Sequence, residues 1–103
     1  MPPGMTPREA LTVLDRLLAT CRTPEERREL LSDLLTETEL VDLADRWEVV
    51  RRLLAGLPQR TIQTEVGVSI SLVTRASTAL KERGKGFRRA FHSLTNALTE
   101  KKT

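Results

Sequence analysis

An all-α fold of six short helices is what this sequence predicts, from the spacing of its apolar residues, its helix-start signals and one central stretch. Apolar residues recur three and four positions apart, whereas the alternating β-branched runs that mark strands are absent. A threonine followed three residues later by glutamate, the pattern that caps a helix start, occurs at Thr6 and Glu9, at Thr23 and Glu26, and at Thr36 and Glu39. From Gln59 to Arg83, the stretch QRTIQTEVGVSISLVTRASTALKER reads as two short helices meeting at a tight turn.

The first helix is expected over residues 7 to 21, with Pro7 at its first position and Leu11, Leu14, Leu17, Leu18 and Cys21 continuing at helical spacing. The second starts at Pro24, carries Leu30, Leu31, Leu34 and Leu35 along one edge, and ends near Leu34. The third and longest, Glu37 to Ala55, is stopped by Gly56. Its Leu40, Leu43, Ala44, Trp47, Val50 and Leu54 fill one arc, and Val41, Val49 and Leu53 fall outside it. A helix apolar on more than one side needs more than one neighbour, and the first two helices are short for independent stability. Burial between two copies of the chain, in a helical homodimer, is therefore expected. After a flexible joint at Gly84 and Gly86, residues Phe87, Ala90, Phe91, Leu94 and Leu98 form a last helix that ends in Lys101 and Lys102.

Within the central stretch Ile62 and Val66 repeat at helical spacing, Gly67 supplies positive φ, Val68 plugs the corner and Ser69 caps the next helix. Ile70, Val73, Ser77 and Leu80 form the inward stripe of that helix. Two helices crossing steeply over one small core give the helix-turn-helix signature, and an ordinary helical hairpin is the alternative that spacing leaves open. The outward face, Ser71, Leu72, Arg75 and Thr78, suits a DNA groove. Arg60, Lys81 and Arg83 are candidates for phosphate contacts, and Gln59, Ile70, Ser71, Leu72 and Thr74 stand nearer to base edges. Leu72 offers only an apolar surface, for which a thymine methyl is the natural partner.

The chain has 103 residues, enough for one small domain and too few for a large enzyme. Hydrophobic residues make up 39%, aromatic residues 3%, and tyrosine is missing, a leucine-rich helical composition. Residues 1–57 carry 8 basic and 11 acidic groups and residues 58–103 carry 9 and 3, so the basic excess lies in and after the central stretch. A solvated surface accounts for such a gradient in bland terms. Its coincidence with the reading helix favours phosphate binding, because Lys and Arg there release counterions from DNA.

Cys21 has no internal partner and is expected to be a buried, inert thiol. His92 lacks the company that metal ligation needs, and no pairing of nucleophile and base is legible, so neither a metal site nor an enzyme is expected. The amino terminus lacks a hydrophobic run and no stretch is long and apolar enough to cross a membrane, which points to a cytoplasmic protein.

From about Leu30 to Leu94 the chain resembles the Trp repressor family, which includes the YerC/YecD group. The resemblance is carried by LLTETELVDLADRWEVVRRLLAG, then QRTIQTEVGVS, then TRASTALK. It implies a single domain over residues 1–103: dimerisation helices at 7–56, a helix-turn-helix at 57–83, a C-terminal core helix at 87–100, and an intertwined dimer. It further implies a double-stranded operator DNA as partner and L-tryptophan or an indole analogue as corepressor, with no other cofactor. The family's ligand pocket falls here on Arg46 and Arg75, whose side chains would lie on either face of an indole. Thr36 and the Leu35 carbonyl would face the carboxylate and ammonium. Arg75 suits this role physically, since a guanidinium pairs with carboxylate and stacks on aromatic rings. The competing reading of both arginines is structural pairing with Asp45, Glu48 or Glu65. Ala76 stands where tryptophan-responsive members have glycine, and Ala79 where some have serine. The turn from Gly56 through Leu57 and Pro58 to Gln59 is one residue shorter than in the well-known repressors and resembles the YerC/YecD group. The expected function is a dimeric repressor responsive to tryptophan or a related indole. The alternatives are a DNA-binding relative with another effector or none, and a helical module that docks an acidic protein.

Overall fold

The computed structural model describes the backbone of residues 4–102 and the side chains of residues 4–96. It holds α1 (Pro7–Leu18), α2 (Pro24–Leu34), α3 (Glu37–Leu54), α4 (Gln59–Val66), α5 (Ile70–Glu82) and α6 (Lys85–Lys102), with no strand among the described residues. The chain forms two compact units, and the boundary, between Leu40 and Val41, falls inside α3.

In the first unit the three threonines cap as their spacing requires. Thr6, Thr23 and Thr36 each accept, through the side-chain oxygen, the backbone N–H three residues on, at 3.1 Å in every case. Only the third closes reciprocally in full, with the Thr36 N–H donating to Glu39 Oε1 at 2.9 Å. That bond and the Thr36 hydroxyl hold the Glu39 carboxyl below its ordinary value. At Thr6 the glutamate accepts from the hydroxyl instead, and Glu26 reaches past its cap to the Arg22 N–H. α1 stops three residues earlier than its spacing suggests. The Thr20 and Cys21 N–H groups tighten onto the Leu17 and Leu18 carbonyls, so Cys21 lies beyond the helix and is only half-buried. Neither α1 nor α2 buries a residue, and Leu11, Leu14 and Leu18 are exposed.

The second unit has a dry centre. Val49 of α3, Ile62 of α4 and Val73 of α5 are fully buried against one another, with Leu53, Leu57, Val66 and Val68 packed around them. Val49 was expected outside the main apolar arc of α3, and Leu43 inside it is 46% exposed. The α4–α5 hairpin lies on the C-terminal half of α3 through Val49 and Leu53, so proximity to that hairpin decides burial there, beyond the helix's average apolar direction. The buried face of α5 is likewise turned. Val73 and Leu80 are buried and Leu72 and Ala76 are half-buried, whereas Ile70, expected inward, is 40% exposed. At 100° per residue the inward direction passes between Val73 and Ala76 and away from Ile70.

Helix ends set the angles. α3 closes in a Schellman motif, with Gly56 at φ +89° and the Gly56 and Leu57 N–H groups on the Leu53 and Arg52 carbonyls. Gly67 ends α4 at φ +78°, and the Ser69 hydroxyl accepts the Leu72 N–H at 3.2 Å to open α5. Gly84 and Gly86 are not the loose joint expected. Gly86 lies within α6, and a Cβ on Gly84, at φ +122°, would stand 2.8 Å from Arg88 Nη1 and from Leu80 Cδ2. α6 thus begins at Lys85, two residues before the expected start, and Phe87 stacks on Trp47 of α3 with ring centroids 6.0 Å apart. Phe91 is half-buried and Leu94 54% exposed, and the expected Leu98 position lies outside the described side chains.

Arg52 ties α3 to α4 by donating to Glu48 and to Glu65, each at 2.9 Å, while Arg51 meets Glu48 at 2.8 Å. These two arginines, Arg51 first, hold the Glu48 carboxyl down to about 2 from an ordinary 4.5.

Replacing Ile62 by alanine should cost about 2–5 kcal/mol of unfolding free energy, read by denaturant titration, since it opens a cavity where three helices meet. Acid should weaken the fold in a defined window. A carboxyl whose folded pKa is depressed stabilises above its unfolded value and loses that contribution as pH falls from 4.5 toward about 2. The thermal midpoint should drop across that window, modestly because Glu48 is 38% exposed. In Glu48→Gln the midpoint should be lower at neutral pH and the acid dependence flatter.

Candidate nucleic-acid interface and adjoining cleft

The hairpin presents a polar, cationic outer surface. Arg60, Ser71, Thr74, Arg75, Thr78, Lys81 and Arg83 are exposed, and no ion pair involves Arg60, Lys81 or Arg83 among the described residues. Two residues assigned to base edges are joined: Thr74 Oγ1 donates to Gln59 Oε1 at 3.2 Å, pinning the start of α4 to α5. Gln59 is half-buried. Leu72 departs from the outward face on which it was expected. It packs partly against the Val49–Ile62–Val73 core, which leaves Ile70 as the exposed apolar side chain at the head of α5.

Behind α5 lies a cleft of about 820 Å³. Arg46, Val49 and Val50 of α3 form one wall; Leu72, Arg75, Ala76, Ala79 and Leu80 of α5 face them; Arg83, Gly84, Lys85, Gly86 and Phe87 close one end. Arg46, Arg75, Ala76 and Ala79 thus meet at one cleft. Leu35 and Thr36 belong to the first unit and are not in its walls, and Thr36 is engaged in capping α3. Among the described residues Arg46 and Arg75 form no ion pair with Asp45, Glu48 or Glu65; Glu48 is held by Arg51 and Arg52, and Glu65 by Arg52. Arg46 has no ion-pair partner among the described residues, and Arg75 makes one long bond, from Nε to the Ser71 carbonyl at 3.4 Å. An apolar floor under uncompensated guanidinium groups is chemically suited to a flat molecule that carries an anionic group.

Sequence reasoning missed the closed end. Lys85, Gly86 and Phe87 escaped because the helix start was placed at Phe87. Arg88 also escaped. Its guanidinium donates to the Leu80 carbonyl at 2.7 Å and to the Arg83 carbonyl at 3.1 Å, and an arginine eight residues from its acceptor has no local signature. Among the described residues no group of carboxylates, histidines and cysteines is placed to hold a metal, and no helix is long and apolar enough to cross a membrane.

The profile of a family described as Trp repressor protein matches residues 9–95. The chain is similar to the Trp operon repressor homolog of Chlamydia trachomatis serovar D, 46% identical over 55 residues that make up 52% of this chain and 58% of that protein. The Trp operon repressor homolog of Xylella fastidiosa strain M23 is 30% identical over 79 residues, 76% of this chain and 86% of the relative. That of Chlamydia caviae is 41% identical over 66 residues, 63% and 65% of the two chains. The matched part therefore spans less than two thirds of the chlamydial proteins' length. No solved structure matches the chain.

Proposed function

Because the chain belongs to the Trp repressor family, we propose that it is a sequence-specific DNA-binding transcriptional repressor, acting as an intertwined homodimer and regulated by tryptophan or a related indole. The observation that carries this reading is the cleft, which sets the guanidinium groups of Arg46 and Arg75, neither in an ion pair among the described residues, between the core helix α3 and the reading helix α5. A molecule lodged there bears on the angle between the two helices. It alters DNA affinity by as much as it binds one orientation better than the other, and a tenfold effect needs about 1.4 kcal/mol. The uncovered stripe of Leu11, Leu14 and Leu18 supports association, since a second copy can cover it. Two reading helices related by a two-fold axis then address half-sites about 34 Å apart on a near-palindromic operator.

Lys81→Ala should weaken binding to all sequences alike and lower the slope of log K against log salt by about 1. Ile70→Ala should change sequence preference with the slope unaltered. Equal behaviour of the two variants in titrations at several salt concentrations would refute this division of labour. For the switch, tryptophan or an indole analogue should raise operator affinity at least several-fold, and Arg46→Ala or Arg75→Ala should abolish the response in a folded protein. Selective DNA binding that no indole compound changes, with no heat on calorimetric titration of the free protein, would leave a DNA-binding relative with another effector or none.

A further inference from the structure

We infer that Arg88 is a positioning residue for DNA reading: it clasps the C-terminal end of α5 to α6 and so sets the orientation of the reading helix, without touching DNA itself. The inference rests on the DNA-binding reading above and adds to it a residue outside the hairpin.

The last turn of a helix carries carbonyls with no partner inside the helix. At this end of α5 two carbonyls, that of Leu80 and that of the cap residue Arg83, are taken by one guanidinium, through Nη2 at 2.7 Å and Nη1 at 3.1 Å. The fork is rigid and planar, so two bonds from it fix direction as well as distance. The cation also lies at the negative end of the helix dipole, where it is favoured. Gly84 seals the arrangement from the other side. Its φ of +122° is open to glycine, and any Cβ would press on Arg88 and Leu80 at 2.8 Å.

The clasp has something firm to hold to. One residue before Arg88, Phe87 stacks on Trp47, so the first turn of α6 is fastened to α3. α5 is therefore held near its head through the Thr74–Gln59 bond and the Val73 core contact, and at its tail through Arg88 and the buried Leu80. Removing Arg88 takes away the polar part of the tail's hold and lets α5 pivot as one rod, which turns Ile70, Ser71 and Lys81 together relative to Gln59 and Arg60 of α4. Phosphate contacts tolerate such a change by side-chain adjustment, whereas base-edge hydrogen bonds do not.

The test compares the full chain with Arg88→Ala, Arg88→Lys and Gly84→Ala, at a temperature where melting curves show every variant folded. Operator and unrelated duplex are each titrated at several salt concentrations. All three variants should lose about tenfold in the ratio of specific to non-specific affinity, with non-specific binding and its salt slope kept. Lysine should not rescue, since one ammonium cannot reproduce the fork. Gly84→Ala adds backbone strain at φ +122° and pressure on Leu80 to the disturbance of the clasp, so its loss should be at least as large as that of Arg88→Ala. An unchanged ratio overturns the inference. So does a lower salt slope restored by Arg88→Lys, which would make Arg88 a phosphate contact. If the unaltered chain binds the two duplexes equally, the DNA-reading proposal itself fails, and the clasp's role falls with it.

Discussion

Val49, Ile62 and Val73, one residue from each of three helices, exclude water from a single point, and the second unit depends on that contact. Apolar burial is non-directional, so three side chains alone would hold α3, α4 and α5 together without fixing their angles. The angles come from polar groups around the contact: the Schellman close of α3, the left-handed Gly67, the Ser69 cap, and Arg52 bridging Glu48 to Glu65. With α5 fixed across α3, Arg46 and Arg75 are brought to one cleft although 29 positions separate them in the chain.

The allocation of acids has an electrostatic effect beyond the helices it joins. Of the carboxylates that competed for Arg46 and Arg75, Glu48 is held by Arg51 and Arg52 and Glu65 by Arg52, while Asp45 pairs with neither cleft arginine among the described residues. Two of the three counter-charges are thus taken up by neighbours before they reach the cleft. Such a site favours an anionic group without a compensating proton uptake.

What was legible in the sequence follows from the range of each signal. Helix starts were readable because a threonine and a glutamate, with a proline between them at Thr6 and Thr23, act within one turn, and all three caps form at the threonines named. The turn at Gly67 was readable for the same reason. Burial was less so. Val49 and Leu43 differ little in hydropathy, and their fates depend on where the hairpin lands, which is a property of distant residues. Ile70 and Leu72 exchanged expected roles because an apolar count ranks isoleucine above alanine, whereas the packed face of α5 turns toward Ala76. Of the candidate ligand residues, those on α3 and α5 meet at the cleft, and Leu35 and Thr36 stand in the other unit. Gly84 looked like a hinge because glycine's freedom is visible in sequence, while the arginine that removes that freedom is not.

The bond between Thr74 and Gln59 constrains what either residue can recognise in the proposed complex. Gln59 Oε1 already accepts a hydrogen bond from the Thr74 hydroxyl, which leaves the Nε2 hydrogens and one Oε1 lone pair for another partner. A glutamine in that state makes the paired donor-and-acceptor contact that singles out adenine only by sharing Oε1 between Thr74 and the base. It matches edges that only accept, such as guanine O6 and N7 or thymine O4. Reading adenine there would divide Oε1 between the base and the contact that joins α4 to α5, so the hydrogen bond that shapes the hairpin also bears on the alphabet of the proposed complex.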